Sequence, residues 1–76
     1  MITVKLYGLI RIESGIKEKQ LEATDVKQLL AQLADCGIPK KDLAGCIMLL
    51  NGASATKKSK LTDGDTVVLM SPIAGG

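Results

Sequence analysis

Histidine, tryptophan and phenylalanine are absent from this 76-residue chain, and Tyr7 is its one aromatic residue. The missing histidines remove the side chain that most readily moves protons near neutral pH and the commonest metal ligand. Only two cysteines occur, Cys36 and Cys46, and without CxxC spacing they are not expected to hold a metal. A single domain of this length buries only about 60% of its unfolded surface and has no second lobe to wall an active-site cleft. These absences disfavour catalysis and leave binding and carrier roles in front.

Strong charge of either sign is missing as well. The net charge is +2, and basic residues cluster only at Lys40-Lys41 and Lys57-Lys58-Ser59-Lys60, which are expected as solvated turns. Nucleic-acid binding calls for a concentrated basic face with stacking aromatics, so no nucleic-acid partner is expected. No apolar run reaches transmembrane length, and the residues from Ile2 alternate where a secretory leader would be continuously apolar. The expected location is therefore cytoplasmic, with no membrane partner. A standing disulfide is not expected in that compartment, and both cysteines are expected as small buried hydrophobes, Cys46 especially because it opens the run Ile47-Met48-Leu49-Leu50.

What is present is an ordinary globular mixture, 46% hydrophobic and 24% charged. Ile2, Val4 and Leu6 alternate with polar residues and predict a half-buried strand. Gly8 and Ser14-Gly15 bracket Leu9-Ile10-Arg11-Ile12-Glu13, which is expected as a loop before an exposed second strand from Ile16 to Leu21. Asp25 followed by Gln28 has the form of a capping box. Val26, Leu29, Leu30 and Leu33 then form one buried helical stripe that runs to about Cys36, closed by Gly37 and Pro39.

Residues 40–45 are expected as a connector, and 46–50 as a strand buried on both faces. Asn51-Gly52 predicts a tight turn, and Leu61 anchors a short polar edge segment from Ala53 to Lys60. Thr62-Asp63-Gly64-Asp65 turns the chain into a final strand, Thr66 to Met70. The helix stripe needs a sheet face to cover it. The expected fold is α+β: a β-grasp with a mixed four- to five-stranded sheet packed on one main helix, the first and last strands side by side at its centre. The expected division is a domain over 1–70 and a flexible tail over 71–76.

The tail carries the functional signal. At average glycine usage of about 7%, two terminal glycines arise by chance in roughly one chain in two hundred. Here Gly75-Gly76 follows a core strand through Pro72, Ile73 and Ala74. Glycine has no Cβ, so such a tail suits a narrow channel, and Ser71 to Gly76, if extended, reaches roughly 20 Å. Pro72 fixes its own φ and biases Ser71 towards an extended backbone, which stiffens the root. Ile73 is suited to anchor the mouth of a channel, and Ala74 and Gly75 to enter it.

The element order, Asn51-Gly52, the segment Leu61-Thr62-Asp63-Gly64-Asp65-Thr66-Val67 and the ending Pro72-Ile73-Ala74-Gly75-Gly76 resemble the MoaD/ThiS family of ubiquitin-like sulfur carriers. The resemblance covers essentially the whole chain and is closest to the small subunit of molybdopterin synthase. That subunit typically has Pro-Pro where this chain has Ser71-Pro72, and an aromatic residue where this chain has Met70. The resemblance implies that the Gly76 carboxylate is adenylated and becomes a thiocarboxylate. It also implies three partners: an ATP-dependent adenylating enzyme, a sulfurtransferase donor and the molybdopterin synthase large subunit. The partner uses the ATP, and the chain itself is expected to bind no cofactor and no metal.

Open beside this reading stand a thiazole-synthesis carrier, a ubiquitin-like modifier joined to lysines through Gly76, and a binding domain with a frayed end. An iron–sulfur β-grasp would need four cysteines, and two cannot supply them. Candidate partner surfaces are the open sheet face, the tail, and the apolar stretch of Leu9, Ile10 and Ile12 with Arg11.

Overall fold

The computed structural model describes residues 1–71. Its elements, in chain order, are β1 (Ile2–Gly8), α1 (Leu9–Ser14), β2 (Glu18–Leu21), α2 (Val26–Asp35), α3 (Lys40–Ala44), β3 (Ile47–Leu50), β4 (Ala53–Ser54) and β5 (Thr66–Ser71). One five-stranded sheet has the order β2-β1-β5-β3-β4. β1 and β5 are parallel, in register from Thr3↔Thr66 to Gly8↔Ser71, and the other pairs are antiparallel. The first and last strands thus lie side by side at the centre, as expected from the sequence.

Alternation decides which face is covered. Ile2, Val4 and Leu6 of β1 and Val67 and Leu69 of β5 are buried against Val26, Leu29 and Leu33 of α2. Each aliphatic side chain so buried contributes about 1.5–3 kcal/mol. Ile10, Ile38, Leu43 and Leu61 close the edges of this core. Among the described residues no buried side-chain polar atom lacks a hydrogen-bond partner.

The helix α2 starts and stops where its sequence directs. The Asp25 carboxylate accepts the Gln28 amide hydrogen at 2.8 Å, while Gln28 Oε1 accepts from the Thr24 amide at 3.0 Å, one residue upstream of a standard capping box. At the far end Gly37 adopts φ 103, and the Ile38 amide donates back to the Leu33 carbonyl, which turns Ile38 into the core.

Several expectations change. Leu9–Ser14 is a helix, not a loop: Gly8 (φ 79) and Gly15 (φ 73) admit sharp entry and exit, and six residues are too few for a helical period to show in sequence. Ile10 is 2% exposed, so it is a core residue and not part of a partner surface. The connector at 40–45 contains α3, whose first turn is closed by hydrogen bonds that the Asp42 and Leu43 amides donate to the Pro39 carbonyl. β2 begins at Glu18, and Ile16 before it is partly buried against the core. β3 is covered on one face only, because no layer lies over the other, and Ile47 is 54% exposed. Cys36 is exposed where a buried residue was expected, because it is the C-cap of α2 and follows the buried stripe; both thiols are free. Ser71 pairs with β1 as the last residue of β5, where a tail residue was expected.

Candidate functional site

The register places an apolar row at one end of the open face. Ile47 pairs with Met70 across β3–β5, and Met70 with Tyr7 across β5–β1. Period two along each strand points all three away from α2, and all three are exposed. One rung inward the row continues with Lys5, Val68 and Leu49. Larger apolar patches rimmed by polar groups are surfaces for partners. This row is a candidate for such a surface, and it lies at the end of β5.

Helix α1 borders the same end, because it begins immediately after Tyr7 and Gly8. Leu9 and Ile12 are exposed, Ile12 at 77%. The Arg11 guanidinium lies 5.9 Å from the centroid of the Tyr7 ring, at the outer limit of a cation–π contact. Of the four residues expected in this segment as a surface, Leu9, Arg11 and Ile12 therefore reach solvent and Ile10 does not. The expected tail site, Pro72, Ile73, Ala74, Gly75 and Gly76, lies outside the described residues.

Sequence reasoning passed over Ile47 and Met70 as surface residues, and it assigned Ser71 only a tail role. Ile47 sits in a continuous apolar run, which hides the face it points to. The information was in the pairing, not in the local pattern.

The Cys46 thiol is held away from nucleophilic work. Burial, and after it the Asp42 charge, raises the Cys46 thiol above its ordinary value, and its Sγ donates to the Asp42 carbonyl at 3.2 Å. On the opposite side of the molecule a shallow groove between α2 and α3 has Leu30 and Leu43 in its floor and Lys27, Lys40 and Lys57 on its rim. Among the described residues no cluster of three or more potential metal ligands occurs, and no helix is long and apolar enough to cross a membrane.

A five-stranded mixed sheet in this order, grasping one long helix, makes the protein a ubiquitin-like β-grasp domain. The sequence model of the ThiS family matches residues 4–76, and the chain belongs to that family of ubiquitin-like sulfur carriers. Its structure is similar to one in the complex of subunits 1 and 2 of molybdopterin-converting factor from Helicobacter pylori 26695. That chain is 29% identical, with 99% of this chain and 97% of that one covered and a TM-score of 0.76. Small archaeal modifier protein SAMP1 from Haloferax volcanii, 19% identical, shares the fold with a TM-score of 0.83 over 99% of this chain and 98% of that one. Urm1 from Trypanosoma brucei is 25% identical, with a TM-score of 0.65 over 99% and 94% of the two chains. No curated protein matches the sequence.

Proposed function

We propose that this protein carries sulfur on the carboxylate of Gly76 and donates it in the synthesis of molybdopterin. The observation that carries the reading is the reach of the ThiS family match, which continues through Gly75-Gly76 to residue 76. The molybdopterin branch is favoured by the likeness to the Helicobacter pylori complex, whose two components are subunits of molybdopterin-converting factor.

A free carboxylate is a poor acyl electrophile, because its charge repels nucleophiles and oxide does not leave. In the proposed cycle a Gly76 oxygen attacks the α-phosphorus of ATP and pyrophosphate departs. The persulfide of a sulfurtransferase then attacks the carbonyl carbon and AMP leaves, and a thiol reductant cleaves the S–S bond of the resulting acyl disulfide, so one oxygen is replaced by sulfur. ATP is bound by the adenylating partner, and this chain holds no cofactor. Every acid, base and metal in the cycle belongs to partners, consistent with a chain that has no histidine. All of this chemistry takes place in the cytoplasm.

Tyr7, Met70 and Ile47 form the docking face, with Leu9 and Ile12 beside it. Pro72, Ile73, Ala74 and Gly75 lead the carboxylate into the partner's channel. Docking through a core-anchored face leaves the terminus to do one thing, which is to reach the reacting phosphorus or sulfur.

The test is intact-mass analysis after incubation with the adenylating enzyme of the same organism, ATP and a sulfur donor. The expected gain is one oxygen exchanged for sulfur, located at Gly76. Deleting Gly76 should abolish the gain and leave thermal stability unchanged. Sulfur loading in that deletion variant would refute the assignment. Adding the loaded protein to a molybdopterin synthase large subunit with its pterin precursor should yield a dithiolene. A thiazole product or a lysine conjugate in its place would move the protein to another branch.

A further inference from the structure

Gly8 has no side chain with which to cap the helix it precedes, and α1 takes its cap from elsewhere. The Ile10 amide donates to Ser71 Oγ at 2.8 Å, across sixty-one positions of sequence. The same hydroxyl lies 3.5 Å from the Tyr7 carbonyl, towards which it can donate. Gly8 and Ser71 are also the last register pair of the parallel β1–β5 ladder.

The approach is close enough to dictate the residue. A Cβ at Gly8 would lie 2.4 Å from the Ser71 carbonyl oxygen and 3.0 Å from Ser71 Oγ. Gly8 moreover has φ 79, a conformation that costs a side-chain-bearing residue. Ile10, one residue into the helix, is fixed in the core at 2% exposure. The Ser71 hydroxyl is therefore held to a part of the molecule that cannot shift without disturbing packing.

We infer that Ser71 is a positioning residue: its hydroxyl latches the end of β5 to the first turn of α1, so that Gly76 is presented to the partner from a fixed root. The inference rests on the carrier reading and deepens it. A carrier whose root samples several exit directions presents a competent terminus only part of the time. Its apparent affinity falls by the fraction of time it is not competent. The latch also joins the exposed Leu9 and Ile12 to the root, since both ride on the helix whose first turn Ser71 caps.

Ser71→Ala tests this through two readouts. Removing the acceptor frees the Ile10 amide, whose hydrogen exchange should accelerate at least about tenfold while exchange in α2 stays as it was. In a pyrophosphate-release assay with the adenylating enzyme and ATP, KM for the carrier should rise about three- to tenfold with kcat within about twofold. Ser71→Thr keeps the hydroxyl and should restore both values. Asp25→Ala, which removes the cap of α2 far from the root, should lower stability without changing KM.

Unchanged Ile10 exchange in Ser71→Ala, or a KM shift of equal size in Asp25→Ala, overturns the latch. A wild-type protein that supports no pyrophosphate release overturns the carrier reading instead. Faster Ile10 exchange with unchanged KM in Ser71→Ala overturns the positioning role as well.

Discussion

At the Thr3–Thr66 end of the parallel β1–β5 pair, polar side chains tie down the turns. At the Tyr7–Met70 end, apolar side chains stand in solvent. Asp65 accepts from the Thr62 amide at 2.8 Å and from Asn51 Nδ2 at 3.0 Å, and Asn51 Oδ1 accepts from the Thr66 amide at 2.9 Å. The Gly64 amide reaches the Met1 carbonyl, and Thr3 donates to the Asp65 carbonyl. At the opposite end the Ser71 hydroxyl is the tie, and Ile47, Met70 and Tyr7 stay uncovered. One end of the ladder is a clamp that satisfies its own groups, and the other leaves apolar side chains in solvent. The clamp holds the register, and register is what aligns the three apolar residues of the proposed docking row.

The largest effect that separates the two ends is expected at Ile47. Ile47→Asp places a charge at the β3 end of the proposed docking row, and loss of this most exposed apolar contact of the row should weaken binding to the adenylating enzyme about tenfold or more. Ile47 is more than half exposed, so the urea midpoint should move little. Calorimetric titration alongside urea unfolding checks both halves. Undiminished binding in a folded variant would remove the open face from the docking model.

A smaller and opposite pattern is expected from Gly52→Ala at the clamp. Asn51 and Gly52 both have positive φ, 49 and 86, as a two-residue hairpin turn demands. Nothing lies within 4 Å of a Cβ built at Gly52, so the cost is backbone conformation alone, about 1–2 kcal/mol. Unfolding should shift by that amount while partner affinity stays constant. Equal loss of affinity would mean that the ends are coupled and that the comparison fails.

Much of this was legible in the sequence, and for identifiable reasons. The stripe of Val26, Leu29, Leu30 and Leu33 is long enough for its period to exclude a strand. Asn51-Gly52 and Asp63-Gly64-Asp65 carry turn chemistry that acts through nearest neighbours, and they turn as expected. The misses share a cause in that they depend on partners distant in sequence. The short helix α1 forms because Ile10 finds the core and Ser71 caps it, and neither is visible within residues 9–14. Ile47 looks buried because its neighbours are apolar, and only the absence of a layer over that face exposes it. The family likeness was readable from the Gly-Gly ending and the Asp-Gly-Asp turn, whereas the docking row needed the strand pairing.

The finest distinction between the ends is expected in pH. Hydrogen bonds from the Thr62 amide and then from the Asn51 side chain hold the Asp65 carboxyl below its ordinary range. A depressed folded-state value means that the unfolded chain takes up the proton first. The contribution to stability is therefore complete above the unfolded value, near pH 4, and is lost as pH falls through the folded value. Asp65→Asn removes the charge and confronts at least one of the two donors with an amide NH2. The variant should be less stable than wild type at neutral pH, and the two should converge as acid protonates Asp65. Asp65 is solvent-accessible and screened, so the gap should be the smallest of those expected here. Following urea midpoints from neutrality down through pH 3 would show it. A constant gap at every pH would mean that Asp65 acts at the clamp through shape alone, and that its charge has no part in fixing the register.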